Sequence, residues 1–434
     1  MLNTVKNAFK VKEIRVKLLF TLAMLLVIRL GSQLPVPGID PEVIKRELAN
    51  MLGDTSFLDA FTGGSFTSMS VFALSITPYI TSSIIMQLLT IAIPKFEEMQ
   101  RDGEDGKKKI ASITRYVTVG LALVESTALA ISFVQYYTIQ APITYVMVVA
   151  SLTAGSAVVM WIGERITERG IGNGISIVLL INILSTIPAD FYNLYVQFVQ
   201  GKKVAMGVLA AVIILAVVVG VVMITVILNG AVRKIPVQHA KKVQGRRMMG
   251  GAGSSIPLKI NTAGVIPIIF ASSIMQFPII LNNFFNWWDG KTGTFIMNML
   301  NQKNWCNPDK PIYSIGLLIY VLLTIFFAYF YTAITFNPRE VADNLKSQGG
   351  FIPGIRPGKP TSDYLKSVLN YVIFIGVVGL IIIVVIPFIF FGVFGAEVSF
   401  GGTSLIIIVS VILETMKQVE SQMMVRNYKG FLND

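Results

Sequence analysis

The residues of this chain that could do chemistry are few, and most stand where the chemistry of soluble enzymes fails. The segment nearest to a phosphate-binding loop is Gly354-Ile-Arg-Pro-Gly358-Lys359-Pro-Thr361. A true loop needs a glycine five residues before Gly358, where this sequence has Pro353, and Ser or Thr after the lysine, where it has Pro360. Gly170-Ile-Gly172-Asn-Gly174 lacks the spacing of a dinucleotide fingerprint and opens an apolar run instead of following a strand. A single histidine, His239, and a single cysteine, Cys306, exclude a His/Cys metal cluster and an internal disulfide framework. No carboxylate pair or nucleophile–base set stands at useful spacing, so catalysis, a metal and a cofactor are all unexpected. What remains is a set of bulky aliphatics beside helix-disturbing residues. Ile76 and Ile80 flank Pro78, Ile175 and Leu179 follow Gly172 and Gly174, and Ile268 and Ile269 adjoin Pro267. Residues four apart share a helix face. By themselves such stripes read as packing or lipid-facing surface.

The elements that must position these residues are apolar. Of the 434 residues, 53% are hydrophobic and 14% charged, too oily a balance for a soluble domain of this size. Ten apolar runs follow one another, at 18–34, 71–93, 117–134, 143–162, 171–187, 204–232, 260–281, 312–336, 368–394 and 403–419. A bilayer core about 30 Å thick takes about 20 helical residues to cross, and most of the runs qualify. The last is the weakest, because it meets Glu414 and Lys417 soon after Leu413. Of the 36 Lys and Arg residues, 28 lie at the two ends and in every second loop, seven lie in the other loops, and Arg29 stands inside the first run. Such asymmetry is the positive-inside pattern and predicts cytoplasmic termini and large cytoplasmic basic loops. The net charge of +12 then gathers on a face suited to anionic lipid, acidic proteins or RNA. For most single Lys and Arg residues, orienting the chain is the simpler role. His239 reads as a satisfied or solvated residue of a basic loop. Gly31-Ser-Gln-Leu-Pro35 offers no small-residue cleavage site, so the first run is expected to be a retained helix behind an amphipathic segment.

The fold class expected is an all-α polytopic membrane protein of ten transmembrane helices. Spans one to five fall in residues 1–190 and spans six to ten in residues 204–434, joined by an external hinge loop at 191–203. Five spans per half give the halves opposite topology, as in inverted-repeat membrane proteins; this rests on counting spans, since no sequence repeat is evident. Three other stretches stand out. Residues 35–70 are too long for a simple outer turn, and 57–70 is moderately apolar but broken by Gly63 and Gly64, which suits a segment folded back into a cavity. Residues 233–259 carry seven basic and no acidic residues. Residues 337–366 are rich in Gly and Pro, which predicts a shaped loop in place of a helix. Charges inside the spans are limited to Arg29 and Glu125, with Glu414 near an end. Ion-coupled carriers usually keep several such groups, so a secondary transporter with inverted repeats is a second reading and a membrane scaffold a third. The outer loop 282–310, with Trp287, Trp288, Trp305 and Cys306, matches no motif; its aromatics suit an interface.

Several stretches carry a resemblance: Pro35-Val-Pro-Gly-Ile-Asp40, Ile76-Thr-Pro-Tyr-Ile80 with Ser83-Ile-Ile-Met-Gln-Leu88, and Trp161-Ile-Gly-Glu-Arg-Ile-Thr-Glu-Arg-Gly-Ile-Gly-Asn-Gly-Ile-Ser176. Further on come Gly245-Arg-Arg247, Asn261-Thr-Ala-Gly-Val-Ile-Pro267, Phe336-Asn-Pro-Arg-Glu-Val-Ala-Asp-Asn-Leu345, Phe351-Ile-Pro-Gly-Ile-Arg-Pro-Gly358 and Phe400-Gly-Gly-Thr-Ser-Leu405. Taken together, in order and in register, they make the chain resemble the SecY family of bacterial protein-conducting channels. The resemblance implies a pseudo-symmetric clamshell around an hourglass pore whose waist is Ile76, Ile80, Ile175, Leu179, Ile269 and Ile407. Leu179 departs conservatively from the isoleucine usual in that family. The resemblance also implies a re-entrant plug at about 57–70, including Phe57, Phe61, Gly63, Gly64 and Phe66, where the alternative is an ordered outer loop. It implies a lateral gate between spans two and seven with a polar cluster of Gln87, Glu125 and Asn261; for Glu125 the alternative is a snorkelling or neutral buried carboxyl. Arg356, with Arg246 and Arg247, would dock the SecA motor or the ribosome, including rRNA phosphates, where the alternative is topology-setting charge. Partners so implied are SecE, SecG, SecA, the ribosome, signal sequences, unfolded preproteins and membrane lipid, in a bacterial plasma membrane; no cofactor is implied.

Overall fold

Long apolar runs leave the backbone one local way of satisfying its own hydrogen bonds, and the chain takes it repeatedly. The computed structural model describes residues 8–40, 42, 44, 61–133, 142–200, 204–239, 242–244, 247–249, 254–285, 290–308, 310–394 and 402–430. Its helices are α1 (Lys12–Gly31), α2 (Thr77–Ala92), α3 (Pro94–Arg101), α4 (Glu104–Ser132), α5 (Pro142–Arg169), α6 (Gly174–Phe198), α7 (Val204–Gly230), α8 (Ile266–Phe285), α9 (Lys291–Leu300), α10 (Ile315–Thr335), α11 (Pro338–Ser347), α12 (Lys359–Phe394) and α13 (Gly402–Gly430). Each of the ten apolar runs overlaps one of the longer ones, with α3, α9 and α11 as short additions. Among the described residues, length and hydropathy alone qualify five helical stretches as spans, at 142–169, 174–198, 207–230, 311–347 and 359–389; the pair α2–α3, bent by 104° at its break, makes a sixth. Helices α1, α4 and α13 extend into charged turns, and α8 contributes the shorter apolar stretch 266–279.

Two basic stretches fold more than their composition suggests. Residues 232–259 contain an antiparallel pair, β1 (Val232–His239) with β4 (Ser254–Lys259), in register from Val232 opposite Lys259 to Val237 opposite Ser254. Between them, β2 (Lys242–Gln244) pairs with β3 (Arg247–Met249), and β5 (Gly350–Phe351) pairs with the end of β1. The loop expected throughout 337–366 is corrected by α11. Its start is fixed by Asn337, whose Oδ1 accepts from the backbone N–H of Arg339 at 3.2 Å, and by Pro338 in the first turn, where a missing N–H costs nothing. The glycines and prolines that suggested a loop crowd into 349–360, after the helix has ended.

Packing groups the chain into two compact units. One comprises residues 1–211, 280–288 and 396–434. In it α4 packs on α2 and α5, α6 packs on α5 and α13, and α1 lies against α5 and α6. Its core includes Phe66, Met69, Leu74, Leu129, Val148 and Leu152. The second comprises residues 212–279 and 289–395. In it α12 packs against α10 and α11, and Ile235, Val237, Leu258, Leu345, Ile352 and Leu365 join the strands to α11 and α12. The segment between α9 and α10 is anchored by Trp305, whose Nε1 donates to the Met299 carbonyl at 2.8 Å and whose ring meets those of Tyr320 and Phe388. Beside it, burial pushes the Cys306 thiol up, away from the thiolate a reactive cysteine needs.

Helices α5 and α6 cross closely. A Cβ on Gly174 would collide with the Gly163 carbonyl oxygen and would stand 2.8 Å from Cβ of Ile166. Gly174→Ala should therefore force the two helices apart and lower stability by about 1–3 kcal/mol, read as a lower unfolding temperature of the detergent-solubilised protein. Gly220→Ala on α7, where nothing stands within 4 Å, should leave it unchanged.

Candidate functional site

The aliphatic pairs are set by the first turns of two helices. Ile76 caps α2, is 1% exposed, and its carbonyl accepts from the N–H groups of both Tyr79 and Ile80 at 3.1 Å. That places Ile80 one turn along, with Pro78 in the turn that tolerates it. On α6 the cap is Asn173, whose Oδ1 accepts from the Ile175 N–H at 3.1 Å. The next orphan donor, the Gly174 N–H, reaches Thr167 Oγ1 on α5 at 2.9 Å. The turn before it needs glycine: Gly172 has φ +85°, and a Cβ there would meet Cδ1 of Ile177 at 2.7 Å and Oγ1 of Thr415 on α13 at 3.0 Å. On its other side Thr21 Oγ1 of α1 accepts the Ile171 N–H at 3.2 Å. Four helices thus fix where Ile175 and Leu179 begin.

Ile76 and Ile175 both approach one bare patch of α5. A Cβ on Gly163 would stand 3.4 Å from Cγ1 of Ile175 and 3.7 Å from Cδ1 of Ile76. Leu179 and Ile407, on the packed pair α6 and α13, are buried, and Ile80 is half-buried. Ile269 is buried on α8 of the second unit.

Residues 61–76 form a chain of turns leading into α2, and Phe57 lies outside the described residues. Gly63 and Gly64 adopt φ of +67° and +80°. Phe66 is buried in the core of the first unit, and Phe61 is half-buried. The backbone here is held by side chains from elsewhere. Arg29 Nη1 and Nη2 donate to the Gly63 carbonyl at 3.3 and 3.4 Å, and Ser185 Oγ donates to the same oxygen at 3.3 Å. Asn182 Nδ2 donates to the Phe61 carbonyl at 3.1 Å and to Ser75 Oγ at 2.9 Å. The lone charge of the first apolar run flagged Arg29; Asn182 and Ser185 carried no sequence signal beyond their polarity within a span.

The polar candidates find partners near home. Gln87 Nε2 donates to Ser83 Oγ on its own helix at 3.4 Å, and Asn261 Nδ2 donates to Asn229 Oδ1 at 2.7 Å. Glu125 is half-buried on α4, and among the described residues no hydrogen bond joins it to Gln87. Arg356 is exposed between Gly354 and Gly358, whose φ values are +82° and +101°. Its carbonyl accepts from Thr361 Oγ1 at 2.8 Å, which ties the tip to the start of α12. Among the described residues no carboxylate pairs with it. Arg246 lies outside the described residues; Arg247 is in β3, with its side chain outside them.

Known proteins resemble this chain along its whole length. A family model described as SecY matches residues 70–416. A protein translocase subunit SecY of Streptomyces galbus is 43% identical over 452 residues, covering 100% of both chains. A solved protein-conducting channel superposes with a TM-score of 0.63 at 17% identity, covering 94% of this chain and 92% of its own. Sec61 in a canine ribosome–channel complex from the endoplasmic reticulum superposes with a TM-score of 0.62 at 15% identity, again over 94% and 92%.

Proposed function

The chain belongs to the SecY family, and we propose that its work is done at an aliphatic waist formed by Ile76, Ile80, Ile175, Leu179, Ile269 and Ile407. It is a multi-pass membrane protein and the protein-conducting channel of a translocase, passing unfolded preproteins across a membrane and releasing apolar segments into lipid. The observation that carries the waist is the approach of both Ile76 and Ile175 to Gly163, at helix starts fixed by caps and glycine turns. A narrow ring without polar partners is poorly wetted and so resists ions. It makes no specific hydrogen bonds, so it selects for an extended chain and against no particular sequence.

In this reading the ten spans form two halves by connectivity, residues 1–190 and 204–434, with 191–203 as the hinge. Residues 57–70 are the plug. Helices α2 and α8 flank the lateral gate, with Gln87, Glu125 and Asn261 as its polar cluster; each bond made there is worth ~1 kcal/mol. Opening would let an apolar segment partition into lipid, at about 0.3–0.6 kcal/mol per Leu, Ile, Phe or Val at the bilayer centre. The exposed guanidinium of Arg356, which meets no carboxylate among the described residues, supports a docking role, since it suits both the carboxylates of the SecA motor and ribosomal RNA phosphates. Arg246 and Arg247 belong to the same surface. A solved neighbour is part of a ribosome–channel complex, which supports the ribosome as a partner here. SecE and SecG complete the complex in a bacterial plasma membrane, with both termini cytoplasmic, and the driving energy comes from a partner's ATP hydrolysis or from translation.

Two measurements test this. Changing Ile76, Ile80 and Ile269 together to glycine should raise resting ion leak through reconstituted channels on the order of tenfold, because the waist then wets; an unaltered leak would count against the waist. Arg356→Glu should cut preprotein export on the order of tenfold by repelling acidic or phosphate partners, with membrane insertion of the variant itself unchanged. Normal export would remove the docking role.

A further inference from the structure

Arg29 is the one basic residue of the first apolar run, and a guanidinium there is costly unless its donors are satisfied. Among the described residues it pairs with no carboxylate. Both terminal nitrogens turn instead to one backbone oxygen, that of Gly63. The same oxygen shares the single proton of Ser185 Oγ, at 3.3 Å, with the nearer Asn182 carbonyl at 2.6 Å. Asn182, 2% exposed, ties the Phe61 carbonyl to Ser75 Oγ and so holds both ends of the 61–75 segment. Ser156 Oγ on α5 adds a bond to the Ser75 carbonyl at 3.2 Å. Met69 and Ser75 adopt φ of +40° and +49°, left-handed conformations that persist in non-glycine residues only where surrounding contacts impose them.

Two features make these contacts a fastening that can be undone. The long-range bonds to residues 61 and 63 fall on backbone carbonyls at 3.1–3.4 Å, so they can be exchanged for water or another peptide. Gly63 also fits closely: a Cβ there would stand 2.7 Å from Arg29 Nη1, 2.9 Å from Ser185 Oγ and 3.0 Å from Cα of Asn182. Ile175, Leu179, Asn182 and Ser185 recur at helical spacing along one face of α6. The aliphatic pair assigned to the waist therefore continues, a turn later, into the residues that hold the plug.

We propose that Arg29, Asn182 and Ser185 are a polar latch that seats residues 61–75 and sets how readily the channel opens. This rests on the pore reading above. The three are positioning residues: they touch the plug and not the passing chain. The latch is tested in the complete channel complex in proteoliposomes, in a Cys306→Ser background carrying Ser68→Cys on the plug. At matched channel amounts, Arg29→Gln, and separately Asn182→Ala with Ser185→Ala, should raise resting ion leak and the labelling rate at residue 68 by about tenfold, the effect of losing one charge-assisted bond in the first case and a set of neutral bonds in the second. Arg29→Lys, which keeps a charged donor, should stay within about threefold of the parent. The Asn182 and Ser185 double variant keeps the buried charge, so it decides the matter even where Arg29→Gln fails to assemble. If the glycine-substituted waist leaks while the latch variants neither leak nor label faster, the latch is overturned and the pore stands. If neither leaks, both are overturned.

Discussion

Irregular backbone at membrane depth must find its hydrogen-bond partners inside the protein, because hydrocarbon offers none. The segment 61–76 is irregular backbone, and polar residues buried around it supply its partners. Asn182, Ser185 and Ser156 point donors at its carbonyls, and Arg29 gives it both ends of a guanidinium. Each would be an expensive intrusion into an apolar helix if the segment were absent. In the proposed channel, the residues that fasten the plug are those of α1, α5 and α6.

The close crossing of α5 with α6 serves the same end. Two glycines let the helices approach until the Gly174 N–H can reach Thr167, and the turn at 170–173 is then clamped between α1 and α13. The clamp fixes where α6 starts, hence which way Ile175 and Leu179 face. An apolar ring works only if its members are held to within a side chain's width, since a gap admits water and then ions. In the proposed channel, rigidity at the waist and reversible bonding beyond it are complementary demands, and α6 would supply both along one face.

The exposed basic face is built by different means. Around Arg356 the backbone is shaped by two left-handed glycines and anchored by Thr361, while a small apolar core of Ile235, Val237, Leu258, Leu345, Ile352 and Leu365 holds the strands and α11 beneath it. An arginine on such a base would need little reorganisation in the proposed docking role, where charge guides encounter.

Ten apolar runs and the placement of Lys and Arg were legible in the sequence because hydropathy and charge act locally, over the length of one span. The aliphatic pairs were legible for the same reason: four-residue spacing fixes a helix face. Arg29 and Glu125 stood out as charges, but a charge does not announce its partner. Helix α11 was hidden among the glycines and prolines that follow it, and the strands among lysines and arginines; one strand end even pairs far along the chain, Gln238 with Phe351. That Gly63 lies beneath Arg29 and Ser185, and that Ile76 and Ile175 both approach Gly163, only the tertiary structure decided. Such contacts join segments 30 to 120 residues apart, at distances that packing sets and no local pattern records.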